Sequence, residues 1–145
     1  MKNLQKEYGL YINGKWQAAS DGVTFKTYSP ATGEELAVCA EATREDVDAA
    51  VKAAHAAWES WKNTTPVERA VILNKIADII DANAQHLAEV ESLDNGKPIR
   101  ETSMIDIPMS ADHFRYFAAA IRTEEGTATM LDNNTLSLVL HEPIG

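Results

Sequence analysis

The spacing of apolar residues changes twice along this 145-residue chain. From Thr43 to about Arg122, apolar residues recur at intervals of three and four, which is typical of amphipathic helices. The segments on either side are rich in β-branched and aromatic residues and contain turn sequences, which favours short strands. The pattern therefore predicts an α/β protein, α+β within this segment, with helices between two groups of strands.

Two capping sequences predict where the first two helices begin. Thr43 and Asp46 resemble a capping box, in which each residue bonds the backbone N–H of the other. Thr65 and Glu68 form a second such pair, and Pro66 stands at the first helical position, where no backbone donor is needed. We therefore expect helices to start at Thr43 and Thr65.

Polar residues, glycine and proline divide the rest of the helical region. The cluster Asp81–Asn83 should separate two helices, and Gly96 should end the second of them in a left-handed conformation. A further helix over 99–122 should kink or restart near Asp106, because Pro108 lacks a donor and clashes with the preceding turn. One helix is predicted to have a broad buried stripe of Ile72, Leu73, Ile76, Ala77, Ile79 and Ile80. The last helix is predicted to have one apolar face, made of Phe114, Phe117, Ala118 and Ile121.

Strand patterns lie at both ends of the chain. The first group is predicted to be a hairpin of Leu10–Ile12 and Lys15–Gln17 around Asn13-Gly14, followed by strands at Val23–Tyr28 and Glu35–Glu41. The second group is a ribbon of Thr127–Thr129 and Thr135–Leu140 around the turn Asp132–Asn134. A two-stranded ribbon is marginal alone, so we expect it to pack against another surface.

Composition and charge exclude several classes of protein. The net charge of −9 argues against nucleic-acid binding, which depends on Lys and Arg. No apolar run is long enough to cross a bilayer and Met1–Glu7 is polar, so we expect no membrane span and a cytoplasmic location. Cys39 is the only cysteine, which excludes an intrachain disulfide, and it is interpreted as a small buried thiol.

Several short segments, in this order and spacing, resemble the first third of the aldehyde dehydrogenase superfamily. They are Leu10–Trp16, Ser29–Glu34, Leu93–Pro98 and His141–Gly145, with Glu45–Val51 and Arg115–Ala118 between them. The resemblance covers nearly the whole chain. Asp94–Glu101 and Glu124–Thr127 look most similar to bacterial acetaldehyde or short-chain aldehyde dehydrogenases.

This resemblance implies a division of the chain. Residues 1–122 would be the N-terminal strands and helices that pack on a cofactor-binding domain. Residues 123–145 would be the first part of an oligomerisation β-ribbon and the lead-in to that domain, and the Rossmann-like core itself is not included. The implied partners are the remainder of the subunit, further copies in a dimer or tetramer, and a small aldehyde.

The resemblance also implies a reaction. In the family, a cysteine thiolate attacks the aldehyde, hydride passes to NAD or NADP, and a glutamate activates the water that hydrolyses the thioester to a carboxylic acid. Cys39 does not lie in a segment resembling the nucleophile motif, and neither the cofactor turn nor the base motif is present. No catalytic or cofactor-binding residue is therefore predicted in this segment, and the chain alone is predicted to be inactive.

A monovalent cation site, for K⁺ or Na⁺, is implied at Asp94 together with main-chain oxygens of Thr27 and Tyr28. Oxygen ligands suit a hard cation, and full coordination would need a ligand beyond Gly145. Asp94 has a second interpretation, in which it only caps the turn at Asn95-Gly96.

Ile105 and Met109 match positions that line the aldehyde tunnel of related enzymes, where apolar walls suit small aliphatic or aromatic aldehydes. The alternative is ordinary core packing on a helix. The histidines have no metal-ligand spacing and are interpreted as surface or packing residues; they are His55, His86, His113 and His141.

A second hypothesis differs in class. The chain could be a non-catalytic, truncated acidic α+β module that associates with intact subunits through its ribbon. Both hypotheses predict the same fold and a tendency to self-associate.

Overall fold

The computed structural model describes residues 4–144. Residues 1–3, at the start of the predicted region 1–122, lie outside the described residues. So does Gly145, the last residue of the predicted region 123–145 and of the His141–Gly145 motif. In chain order the elements are β1 (Glu7–Tyr8), β2 (Leu10–Ile12), β3 (Lys15–Gln17), β4 (Thr24–Tyr28), β5 (Glu35–Ala40), α1 (Arg44–Trp61), α2 (Pro66–Ala82), α3 (Ala84–Asn95), α4 (Ile99–Glu101), a π-turn (Thr102–Asp106), α5 (Ile107–Ala120), β6 (Thr127–Met130) and β7 (Leu136–Val139).

The N-terminal strands form the predicted hairpin and a separate sheet. β2 and β3 pair antiparallel around Asn13 and Gly14, which both have positive φ angles. The sheet has the order β1-β5-β4, with β1 parallel and β4 antiparallel to the central strand β5. The predicted strands at Val23–Tyr28 and Glu35–Glu41 are thus confirmed within one or two residues.

Both predicted capping boxes are present. Asp46 Oδ2 accepts the Thr43 N–H at 3.0 Å, and Thr43 Oγ1 accepts the Asp46 N–H at 3.2 Å. Thr65 and Glu68 make the same exchange at 2.7 and 3.2 Å. The backbone N–H groups of Thr43 and then Ser20 lower the pKa of the buried Asp46 carboxyl, and that of Thr65 lowers the pKa of Glu68.

The remaining helices divide as predicted, with one difference in form. Asn83 separates α2 from α3, and α3 ends at Gly96, whose φ is 77°. The break predicted near Asp106 is confirmed, because a new α-helical segment begins at Ile107, without a side-chain cap. The break is a π-turn, in which the N–H of Ile107 donates to the carbonyl of Thr102.

The core is small and consists mainly of alanines. α2 packs against α5, and their buried residues include Ala70, Ala77, Ala111 and Ala118. Small side chains allow the two helix axes to approach closely. Ile107 is the only large apolar side chain in the buried core of residues 4–144.

Much of the predicted apolar surface is uncovered. Ile72 and Ile79 on α2 are exposed, so the prediction that they are buried was wrong. Phe117, on the predicted apolar face of α5, is exposed as well. On each of these two helices, the apolar residues cover a wider face than the one that contacts the other helix. Exposed valines at Val67 and Val71 extend the uncovered surface along α2.

The predicted ribbon is formed by β6 and β7, which pair antiparallel from Thr127 opposite Val139 to Met130 opposite Leu136. Leu136 and Leu138 are exposed. The ribbon therefore has an apolar surface that residues 4–144 leave uncovered, in line with the expectation that it packs against another surface. Within residues 4–144, none of the helices has both the length and the apolar character needed to cross a membrane.

Candidate functional site

A small cavity lies between the N-terminal sheet and α3. Its volume is about 110 Å³, and both Thr27 and Asp94 line it. Tyr8 and Cys39 also contribute to its wall, together with the apolar side chains of Leu36, Val90 and Leu93. Two of the three residues predicted for a cation site are therefore brought together, although they are 67 positions apart in the sequence.

Strand pairing and one close backbone contact place these residues. Thr27 pairs with Ala37 on β5, and the register shifts between Thr27 and Tyr28. Asp94 lies in the last turn of α3, and the following turn packs on the loop after β4, where Gly96 contacts the ring of Pro30. The loop after β4 and the end of α3 therefore form one unit.

The side chain of Asp94 makes no hydrogen bond with any of the residues 4–144. The turn is instead closed by Asn95, whose Oδ1 accepts the Lys97 N–H at 2.8 Å, and by the Gly96 N–H, which donates to the Ser92 carbonyl at 3.1 Å. The interpretation of Asp94 as the cap of this turn is therefore corrected: Asn95 has that role. The carboxylate of Asp94 is left available for another ligand.

Tyr28 differs from the other two predicted ligands, because its side chain is exposed and does not line the cavity. A main-chain oxygen needs no particular side chain, so this placement does not conflict with the predicted role. Among the described residues, no group of three or more His, Cys, Asp or Glu could hold a metal ion. The predicted donors, the Asp94 carboxylate and main-chain oxygens of Thr27 and Tyr28, are of the oxygen type that a hard monovalent cation takes.

Cys39 is half-buried in the central strand β5, where it pairs with Tyr8 on one side and Phe25 on the other. A position inside a sheet gives the thiol little freedom to approach a substrate. This agrees with its interpretation as a packing residue.

Ile105 and Met109 lie on the π-turn and on α5, four positions apart. Their side chains are 48% and 49% exposed, so neither belongs to the core of residues 4–144. Lys97 forms an ion pair with Asp106 in the same region, and the hydrogen bond to Asp106 raises the pKa of Lys97. The two predicted tunnel residues are thus both accessible, and their interpretation as ordinary core residues is wrong for residues 4–144.

A second cavity, of about 340 Å³, lies at the start of α2 and was not predicted. Arg69 and Glu142 line it, as do Glu124 and His141, whose Oε1 and Nδ1 are 3.4 Å apart. Arg69 Nη2 donates to the Thr64 carbonyl at 2.9 Å, whereas its Nε is buried without a partner among the described residues. The sequence gives no signal for this cluster, because its members come from distant segments.

Comparison with known proteins identifies the family. The model of the aldehyde dehydrogenase family matches residues 16–145. An aldehyde dehydrogenase of Rhodospirillum rubrum is 49% identical over 142 residues, which are 98% of this chain and 28% of that protein. Acetaldehyde dehydrogenase 2 of Cupriavidus necator is 46% identical over 141 residues, covering 97% of this chain and 28% of that protein.

Solved structures agree with these relatives. The NAD⁺ complex of an aldehyde dehydrogenase from Bacillus cereus superimposes with a TM-score of 0.91 at 41% identity, covering 95% of this chain and 28% of that one. The chain thus spans about 28% of the length of the curated relatives it matches. It corresponds to their N-terminal part, and it belongs to the aldehyde dehydrogenase family.

Proposed function

We propose that this chain is the N-terminal part of an NAD(P)-dependent aldehyde dehydrogenase that oxidises a small aldehyde to a carboxylic acid. The observation that carries the proposal is the family match over residues 16–145. The name of the Cupriavidus necator relative favours a short-chain substrate such as acetaldehyde. The single cysteine, which excludes an intrachain disulfide, supports a cytoplasmic location.

Within that enzyme, this segment would supply structure rather than chemistry. Residues 1–122 would pack on the cofactor-binding domain, and the uncovered apolar faces of α2 and α5, with Val71, Ile72 and Phe117, support this role. Residues 123–145 would start the ribbon that joins subunits into a dimer or tetramer. Exposed leucines on β7 support that assignment.

The isolated chain would not oxidise aldehydes. Its one thiol, on Cys39, is half-buried within a sheet rather than in a segment resembling the family's nucleophile motif. NAD or NADP and the catalytic thiolate would be held by the remainder of the subunit. When bound, NAD or NADP would supply the hydride acceptor, and this chain would contribute the cation site and part of the aldehyde path.

Two sites in this segment would assist the reaction. Thr27 and Tyr28 would offer main-chain oxygens, and Asp94 a carboxylate, to K⁺ or Na⁺ beside the cavity between the sheet and α3. Ile105 and Met109 would form part of the wall along which the aldehyde reaches the catalytic centre. Their exposed, apolar side chains support this second assignment.

A chimeric subunit tests the proposal directly. In it, this chain replaces the matching segment of the Rhodospirillum rubrum aldehyde dehydrogenase, where the two are 49% identical over 142 residues. We expect the chimeric subunit to reduce NAD⁺ with acetaldehyde, and we expect the 145-residue chain alone to give no turnover. The initial rate of NADH formation, followed by absorbance at each aldehyde concentration, gives kcat and KM.

Two outcomes would contradict the proposal. One is a soluble, folded chimeric subunit that binds NAD⁺ but does not oxidise any aldehyde. The other is turnover by the chain alone, with the Cys39→Ala variant as the control that identifies the thiol. A chimera made with the parent enzyme's own segment, joined at the same positions, controls for the junction.

The second candidate is a non-catalytic module that joins intact subunits through its ribbon. The exposed apolar ribbon favours it. Co-expression of the tagged chain with an intact, untagged relative distinguishes the two: stable mixed oligomers favour the module, and their absence together with an active chimeric subunit favours the enzyme segment.

A further inference from the structure

The buried positions of the last helical region are unevenly spaced. Thr102, Ile107, Ala111 and Ala118 are buried, so the buried line advances by five residues, then four, then seven. A regular α-helix returns to the same face after three or four residues. The step of five coincides with the π-turn, where the N–H of Ile107 donates to the carbonyl of Thr102.

This step determines where Ile105 points. In an uninterrupted α-helix, Ile105 and Asp106 would follow the buried Thr102 on the same face, because they are three and four residues further on. With the π-turn, the next buried residue after Thr102 is Ile107. Ile105 and Met109 are both about half exposed. The π-turn therefore keeps Ile105 off the helix interface, and Met109, four residues further on, is exposed to the same extent.

Two contacts hold the π-turn at its ends. The fully buried Thr102 donates its hydroxyl to the carbonyl of Ala88 on α3 at 3.0 Å, and the carbonyl of Ile99 lies 3.2 Å away. At the other end, Lys97 forms an ion pair with Asp106. Both contacts anchor the turn to α3 or to the segment directly after it.

Pro108 lowers the number of backbone hydrogen bonds that a regular α-helix could form at this position. It has no N–H, so the α-helical hydrogen bond to the carbonyl of Met104 cannot form, whichever way the turn is wound. The contacts of Thr102 and Asp106 then favour the π-turn over a regular α-helical turn. π-Turns inside α-helices occur frequently at functional sites.

We propose that Thr102 is a positioning residue for aldehyde selection. Its hydroxyl fixes the π-turn on α3 and thereby keeps Ile105 and Met109 side by side as a wall for the aldehyde's alkyl chain. This inference rests on the proposed function, because it assumes that these two residues border the aldehyde path. The ligand concerned is an unbranched aldehyde long enough to touch both side chains.

Kinetics of the chimeric subunit with acetaldehyde and hexanal test the proposal. For Thr102→Val, which removes the hydroxyl and keeps the shape, we expect the KM for hexanal to rise about fivefold while acetaldehyde constants change less than about twofold. Thr102→Ser keeps the hydroxyl and should restore the KM for hexanal. Ser103→Ala is the matched control, because the Ser103 hydroxyl only approaches the Arg100 carbonyl within its own turn.

Equal losses for both aldehydes in Thr102→Val, or a Thr102→Ser variant that does not restore hexanal, would overturn the proposal. If Thr102→Val does not fold, Asp106→Asn loosens the other end of the turn and must give the same selective rise. Ile105→Ala separates this inference from the proposed function. If Ile105→Ala leaves the preference for hexanal over acetaldehyde unchanged, the assignment of the aldehyde wall fails. If Ile105→Ala changes this preference and Thr102→Val does not, only the role of Thr102 fails.

Discussion

Gly96 lies directly against the ring of Pro30. A Cβ on residue 96 would stand 2.9 Å from Pro30 Cγ, and the φ of Gly96 is 77°. For Gly96→Ala we expect a loss of about 1–2 kcal/mol in the free energy of unfolding from the left-handed backbone alone. The contact with Pro30 should add to that loss, because a proline ring cannot rotate out of the way. Urea unfolding of the chain, followed by circular dichroism, measures it.

Gly22→Ala is the matched control for this prediction. Gly22 has a φ of 74°, and a Cβ there would meet nothing within 4 Å. Only the cost of the left-handed conformation applies at that position. Equal losses at both glycines would show that the contact between Gly96 and Pro30 contributes no stability.

The carboxylate of Asp94 should make the protein respond to potassium. Because the carboxylate has no hydrogen-bond partner among residues 4–144, and Asp94 lines the cavity together with Thr27, a bound cation would stabilise the folded state. We expect about 100 mM KCl to raise the unfolding temperature of the chimeric subunit by a few degrees over choline chloride at equal ionic strength. Asp94→Asn should abolish most of this difference, and the exposed Asp48→Asn should preserve it. An undiminished potassium response in Asp94→Asn would exclude the proposed site.

Acid should destabilise the helix starts. The hydrogen bonds from Thr43 and Ser20 lower the pKa of Asp46, and that from Thr65 lowers the pKa of Glu68. Such groups add stability above the pKa of the unfolded chain, about 4, and lose it as the pH falls through the lower, folded-state value. We therefore expect the unfolding temperature of the chain to decrease from about pH 5 to about pH 3.

The variant Asp46→Asn/Glu68→Gln checks the cause of that decrease. Both amides can still accept the backbone hydrogen bonds, but neither changes charge in this range. The double variant should be less stable than the wild type at neutral pH and should lose less on acidification. A pH dependence identical to that of the wild type would mean that other carboxylates are responsible.

Local signals made much of this fold predictable. The capping boxes at Thr43 and Thr65, the Asn13-Gly14 turn and the helix end at Gly96 all depend on residues within a few positions of one another. Each of these features appears where the sequence places it. The family motifs, which are equally local, predicted the family in the same way.

Features that depend on distant segments could not be predicted. The apolar pattern of α2 indicates which residues avoid water, but not that α5 covers only part of them, so Ile72 was expected to be buried. Pro108 indicates a break but not its form, because the π-turn begins at Thr102, which contacts Ala88 on a different helix. The pairing of Thr27 with Asp94 in one cavity came from the resemblance, since neither residue has a local signature.

The ribbon should control self-association of the chain, as its proposed role between subunits requires. Leu136 and Leu138 lie two positions apart on β7, so they project from the same face, and both are exposed. Burial of this face should make the chain a dimer or larger at micromolar concentration in sedimentation velocity. Replacing both leucines with lysine should raise the dissociation constant about tenfold or more. Thr135→Lys, at the exposed residue directly before β7, should leave it unchanged. A chain that sediments as a monomer, or a lysine variant that associates like the wild type, would require a different subunit contact, such as the uncovered face of α2.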